Sequence, residues 1–132
     1  MKTVLFVCVH NAGRSQMAEA FVNAAGSAAL HAESAGTLGA GSLNPMAVAV
    51  MEELGITMVH HIAKQLTSGM VKRADIVVSM GCGVDADACP AKFLVTEDWG
   101  LDDPAGQSIE RVREIRDQIR AKVHGLLDRA GS

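Results

Sequence analysis

An α/β domain, a four-stranded parallel sheet with helices on both faces, is what the order of apolar runs in this chain predicts. Two short runs of mainly apolar residues, 3–8 and 75–80, suit strands buried in the middle of a sheet. Stretches with apolar residues three and four apart lie between and after them. Alternating the two kinds of element produces parallel strands joined by helical crossovers. Such sheets bind ligands at the carboxyl ends of their strands, which places attention on the loop after the first run.

Residues 3–8 form the first strand. Ser15 is placed to cap the next helix, with Met17, Ala18, Phe21, Val22 and Ala25 at helical spacing and Gly26 as its stop. Residues 30–34 are a weaker strand, because Ala and Glu are poor strand formers. Asn44-Pro45 marks a helix start, with Met46, Val50, Met51 and Leu54 expected on its inner face before Gly55. Residues 67–72 read as a short helix, 75–80 as the second strong strand and 92–96 as a fourth. The tail, 108–129, repeats Ile109, Val112, Ile115, Ile119, Val123 and Leu126 along one helical stripe.

At 132 residues the chain suits one domain, 1–132, able to bury a core without staples. A formal charge of −3 with no Lys/Arg block excludes a general nucleic-acid binder. Met1-Lys2 opens straight into a strand, without a signal-peptide pattern, and the longest uncharged stretch, 34–51, is broken by glycines, Asn44 and Pro45. The expectation is a cytoplasmic monomer that does not engage membranes. Three cysteines in a reducing compartment point to reactive thiols.

Residues 8–15 read C-V-H-N-A-G-R-S. A cysteine six positions before an arginine can bracket a loop that wraps a tetrahedral oxyanion. Its N–H groups, from Val9, His10, Asn11, Ala12, Gly13 and Arg14, would point inward, with the Arg14 guanidinium closing over the anion and Cys8 beneath it. The following helix turns its positive end to the same place, which favours an anion and a cysteine thiolate. Ser15 can donate to the Cys8 sulfur. The spacing alone also fits a cysteine that is merely the last buried residue of a strand. The strand before, Gly13 within and the helix beyond favour the anion loop.

Two further features fit that chemistry. Leu101-Asp102-Asp103-Pro104-Ala105-Gly106 is an ordinary turn by composition, yet a carboxyl fixed by Pro104 could protonate a departing hydroxide, and Asp103 is better placed than Asp102. Cys82 and Cys89 are separated by six residues, with Gly81 and Gly83 to supply mobility. A zinc site with Asp85 and Asp87 lacks knuckle spacing. A thiol relay, Cys82 meeting Cys8 and Cys89 then meeting Cys82, is the sharper reading. The adjacent His60 and His61 read as structural or solvated, and the seven methionines as core filler.

With these residues in hand, the chain resembles thioredoxin-coupled arsenate reductases, which share the fold of low-molecular-weight protein tyrosine phosphatases. Further matching segments are R-S-Q-M-A-E-A at 14–20, S-A-G-T at 34–37, N-P-M-A at 44–47 and E-D-W-G-L-D-D-P-A-G at 97–106. The resemblance implies that arsenate binds the loop, that Cys8 attacks arsenic and that Asp103 protonates the leaving hydroxide. Cys82 then attacks Cys8 and releases arsenite, Cys89 attacks Cys82, and thioredoxin reduces the Cys82–Cys89 pair. It implies no metal or flavin. His10 stands where many members have glycine, and Gly13 where some have another cysteine. Some members bind potassium at positions matching Asn11, Glu19 and Ser34 plus an acidic residue. Lys64 occupies the acidic position, so no potassium requirement is expected.

The rival enzyme is a phosphatase using Cys8, Arg14 and Asp103. It leaves Cys82 and Cys89 idle, and the chain has no tyrosine and few aromatics to line a phosphotyrosine slot. An oxyanion sensor would need an effector surface that the sequence lacks. A low-molecular-weight thiol could replace thioredoxin, but a complete pair of relay cysteines makes it unnecessary.

Overall fold

The computed structural model describes residues 1–39, 41–81 and 97–131. In chain order these form β1 (Lys2–Cys8), α1 (Arg14–Ala24), β2 (Leu30–Gly36), α2 (Pro45–Glu52), α3 (Ser68–Arg73), β3 (Ile76–Ser79), β4 (Glu97–Asp98) and α4 (Ile109–Arg129). The sheet order is β2-β1-β3-β4, with all three pairings parallel. The expected α/β class and four-stranded parallel sheet are therefore present. The strand expected at 92–96 lies outside the described residues, and the described part of β4 is the two residues that pair with Val78 and Ser79.

β1 is buried on both faces because it is central. Val4, Phe6 and Cys8 join one core with α1, α2 and α4, through residues such as Met17, Val50 and Ile115. Leu5 and Val7 face the other way, with Ala35 and Val77, and are covered by Leu66, Met70, Val71 and Ala74 around α3. That arrangement explains the unbroken apolar run, since neither face of β1 meets water. The stripe of α4 is buried as expected from Val112 to Leu126, with Ile109 packed at its edge. Ser108 caps this helix by accepting a bond from the Arg111 N–H.

Two local expectations are corrected. Ser15 does not cap α1. Gly13 is the N-cap, without a side-chain bond, and Ser15 sits inside the first turn with its hydroxyl committed to Cys8. On α2 the buried positions are Ala47, Val50 and Met51, whereas Met46 and Leu54 are 40% and 36% exposed. The helix has only eight residues and ends before Leu54, so its inward stripe spans two turns centred on Val50. Asn44 caps it, as the Asn-Pro pair predicted.

β2 runs on to Gly36, beyond the expected end at residue 34, and there it meets the loop after β1. A Cβ on Gly36 would lie 2.5 Å from the Val9 carbonyl oxygen and 2.9 Å from the Asn11 nitrogen. Only glycine lets the two backbones approach this closely. The contact is fixed by Thr37 and Leu38, whose N–H groups donate to the carbonyls of Cys8 and Val9. On the other side, the Asn44 N–H donates to the Ala12 carbonyl at 2.8 Å. The loop is thus clamped between the end of β2 and the start of α2.

Candidate active site

The loop from Cys8 to Arg14 carries Cys8 at its floor, 3% exposed, and Arg14 at its far end, 8% exposed. The Cys8 sulfur lies 2.8 Å from the Ser15 hydroxyl and accepts the Asn11 N–H at 3.2 Å. Asn11 holds φ at +55°, a left-handed conformation that asparagine adopts more readily than other non-glycine residues. This twist turns its N–H back onto the sulfur. The N–H groups of His10, Ala12 and Gly13 donate to no described residue, so they remain free for an anion.

A polar chain behind the loop sets the direction of these bonds. Gln16 Nε2 donates to the Asn11 carbonyl, the Asn11 Oδ1 and the Ile62 carbonyl. Its Oε1 is then the group that meets His61 Nδ1 at 2.7 Å. Asn11 Oδ1 accepts from Gln16 and from the Lys64 N–H, which leaves Nδ2 to donate to the Ser15 oxygen at 2.8 Å. The Ser15 proton is consequently available to Cys8. The Ser15 hydroxyl and the Asn11 N–H are thus both turned on the sulfur, an arrangement suited to a thiolate.

His61 Nδ1 also faces Glu19 Oε2 at 3.2 Å. Both of its partners accept, so Nδ1 carries the proton of the neutral ring. Burial holds His61 below the usual histidine range, opposing the Glu19 carboxylate that would raise it; the charges of Lys64 and His60 push the same way as burial. Glu19 also accepts from the Ser34 hydroxyl at 3.1 Å and pairs with the Lys64 ammonium at 3.7 Å. Asn11, Glu19, Ser34 and Lys64 are therefore gathered in one place. Gln16 and His61 were not singled out by the sequence as parts of the site.

Arg14 is anchored from one side. Its Nη1 donates to the Met80 carbonyl at 2.9 Å and the Leu101 carbonyl at 2.8 Å. Its Nη2 lies 3.9 Å from Asp103 Oδ2. Gly81 has φ of +123°, and a Cβ there would lie 2.8 Å from Arg14 Nη1 and 2.9 Å from the Leu101 oxygen. The arginine needs a glycine at that spot.

Asp103 and Asp102 are clearly divided. Asp102 pairs with Arg111, which also holds Glu114. Asp103 caps its own turn through the Ala105 N–H at 3.0 Å and lines the pocket above Cys8. Pro104 packs against Gly13, where an added Cβ would come within 3.0 Å of its Cγ. The pocket, about 60 Å³, is lined by Cys8, His10, Ala12, Gly13, Arg14, Asn44 and residues 103–105. Val9 contributes its carbonyl to the clamp on Leu38 and does not line the pocket. Cys82 and Cys89 lie outside the described residues. Among the described residues no cluster of His, Cys, Asp and Glu could hold a metal, and no helix is long and apolar enough to cross a membrane.

Comparison with known proteins places this loop in context. A relative from Synechocystis, a glutaredoxin arsenate reductase, is 38% identical over 128 residues, covering 96% of this chain and 97% of its own. A solved arsenate reductase in its phosphate-binding state superposes with a TM-score of 0.86 at 36% identity, over 98% of this chain and 99% of its own. An arginine phosphatase from Geobacillus stearothermophilus has a TM-score of 0.81 at 26% identity, covering 98% of this chain and 92% of its own. The family model described as low molecular weight phosphotyrosine protein phosphatase matches residues 3–131, and the chain belongs to that family.

Proposed function

We propose that this chain reduces arsenate to arsenite, with Cys8 as nucleophile and Cys82 and Cys89 as successive resolving thiols. The observation that carries the reading is the Cys8 sulfur, under a pocket of about 60 Å³, held by Ser15 and Asn11 and faced by Arg14 and Asp103. The names of the relative from Synechocystis and of the phosphate-bound structure support the same substrate class.

Arsenate would accept bonds from the free loop N–H groups and from Arg14 Nη2, while Nη1 stays tied to Met80 and Leu101. The Cys8 thiolate attacks arsenic, Asp103 protonates the departing hydroxide, and water leaves a sulfur–arsenic bond. The Cys82 thiolate then attacks the Cys8 sulfur. The sulfur–arsenic bond breaks, its electron pair stays on arsenic, and arsenic(V) becomes arsenic(III), released as arsenite. Cys89 attacks Cys82, freeing Cys8 and leaving a Cys82–Cys89 disulfide. Thioredoxin supplies the two electrons and two protons that reopen it. Thiols carry every electron, so the reaction requires neither metal nor flavin. The working form in this reading is a cytoplasmic monomer.

A second reading is favoured by the same geometry, since Cys8, Arg14 and Asp103 equally suit a cysteinyl-phosphate intermediate hydrolysed by water. The joint replacement Cys82→Ser with Cys89→Ser separates the two. A reductase loses arsenate turnover. A phosphatase keeps hydrolysing a chromogenic aryl phosphate at the wild-type rate and shows no arsenate reduction before or after the change.

A further inference from the structure

His10 lines the anion pocket, is exposed, and places its imidazole against no hydrogen-bonding partner among the described residues. The other polar side chains around the loop already hold bonds of their own, with Arg14 Nη2 left to face the pocket. Arg14 is bonded to two carbonyls, Asn11 to Ser15, and Asn44 to the start of α2. The loop is held rigid at Val9, where Leu38 donates to the carbonyl, and at Asn11, so the position of His10 between them is fixed while its ring can still turn over the mouth. The net charge inside the pocket is also incomplete. Among the described residues Arg14 is the one cation lining it, and it faces Asp103 at 3.9 Å and a sulfur that must become negative. A dianion entering such a site gains from a second positive charge at the rim.

We infer that His10 is a specificity-determining residue of the oxyanion pocket, whose protonated imidazole adds a second cation over the bound anion and favours doubly charged oxyanions. The inference rests on the reading of this pocket as an anion site. Histidine is the side chain whose charge most readily changes near neutral pH, so a role for the imidazole at this rim is tested by varying pH. Among the described residues, the other ionisable groups lining the pocket are Cys8, Arg14 and Asp103. Lys64, whose backbone N–H reaches the loop at Asn11 Oδ1, pairs its ammonium with Glu19, and Glu19 also faces His61. Those groups are shared by any His10 variant, which isolates the imidazole. The side chain is exposed, so solvent screening limits its effect to roughly three- to tenfold in affinity.

Sulfate is the probe of choice because it keeps both charges across the relevant range, unlike arsenate or phosphate. Its binding to the full-length reduced protein is measured by calorimetry from about pH 5.5 to about pH 8.5 for wild type, His10→Gln and His10→Lys. The wild-type affinity should fall by roughly three- to tenfold more than that of His10→Gln as pH rises. His10→Lys should keep the low-pH affinity throughout. Parallel pH profiles for wild type and His10→Gln overturn the inference, as does the absence of sulfate binding at any pH. Arsenate turnover is scored separately, so a protein that shows the expected sulfate profile but reduces no arsenate refutes the proposed reaction and leaves the role of His10 standing.

Discussion

Replacing Gly81 by alanine should disarm the anion site by displacing Arg14, without replacing any residue that contacts the anion. The new Cβ would lie 2.8 Å from Arg14 Nη1 and 2.9 Å from the Leu101 carbonyl oxygen, both too close for any real carbon. Gly81 also sits at φ +123°, a conformation that costs an alanine on the order of 1–3 kcal/mol. The least expensive relief is for Arg14 to give up its bonds to Met80 and Leu101 and swing away. Hydrogen bonds from a charged donor contribute about 1.5–3 kcal/mol each. Losing the equivalent of one at the anion corresponds to a fall of about tenfold to a hundredfold in affinity. The assay is sulfate or phosphate binding by calorimetry, with urea unfolding to verify that the variant is folded. A stability loss of about 1–3 kcal/mol leaves a domain of ordinary stability intact. Sulfate affinity within twofold of wild type in the folded variant would refute the claim that this glycine positions Arg14.

Other outcomes follow from the network behind the loop. Ser15→Ala removes the hydroxyl 2.8 Å from the Cys8 sulfur and should slow alkylation of Cys8 at neutral pH by roughly tenfold, read by mass spectrometry of the Cys8 peptide; an unchanged rate would contradict it. His61 is held below the usual histidine range by burial, so the unfolded chain takes up its proton first as the pH falls. Stability should therefore be fully present above about pH 6.5 and decline below it, and His61→Gln should remove part of that decline in urea titrations. With the Lys64 ammonium 3.7 Å from Glu19, added potassium at constant ionic strength should change neither activity nor melting temperature; a marked rise in either would show that the lysine does not replace a cation.

The anion loop was legible because its parts are contiguous. Cys8, Asn11, Arg14 and Ser15 lie within eight residues, after a run whose apolarity marks a central strand. Asp103 could be preferred to Asp102 because Pro104 restricts it, and the structure gives Asp102 to Arg111 instead. Long-range partners left no comparable trace. Gln16 and His61 are 45 residues apart, and only the folded chain brings them to 2.7 Å. The anchors of Arg14 are main-chain carbonyls of Met80 and Leu101, which any residue could supply. Gly81 read as a source of mobility beside Cys82, whereas its described role is to leave room for a guanidinium. Ser15 was assigned to a cap by residue type, but Gly13 takes the cap position and the Ser15 hydroxyl lies against the Cys8 sulfur. The misplaced face of α2 has a simpler cause, since a helix of eight residues cannot carry a stripe that ends at Leu54.

The most direct test of the central claim follows NADPH consumption on addition of arsenate, in the presence of thioredoxin and thioredoxin reductase, for wild type and Cys89→Ser. The three-cysteine relay predicts steady turnover by the wild type and its loss in the variant, which stops after forming the Cys8–Cys82 disulfide. Undiminished turnover by Cys89→Ser, or no turnover by the wild type while it hydrolyses an aryl phosphate, would contradict it.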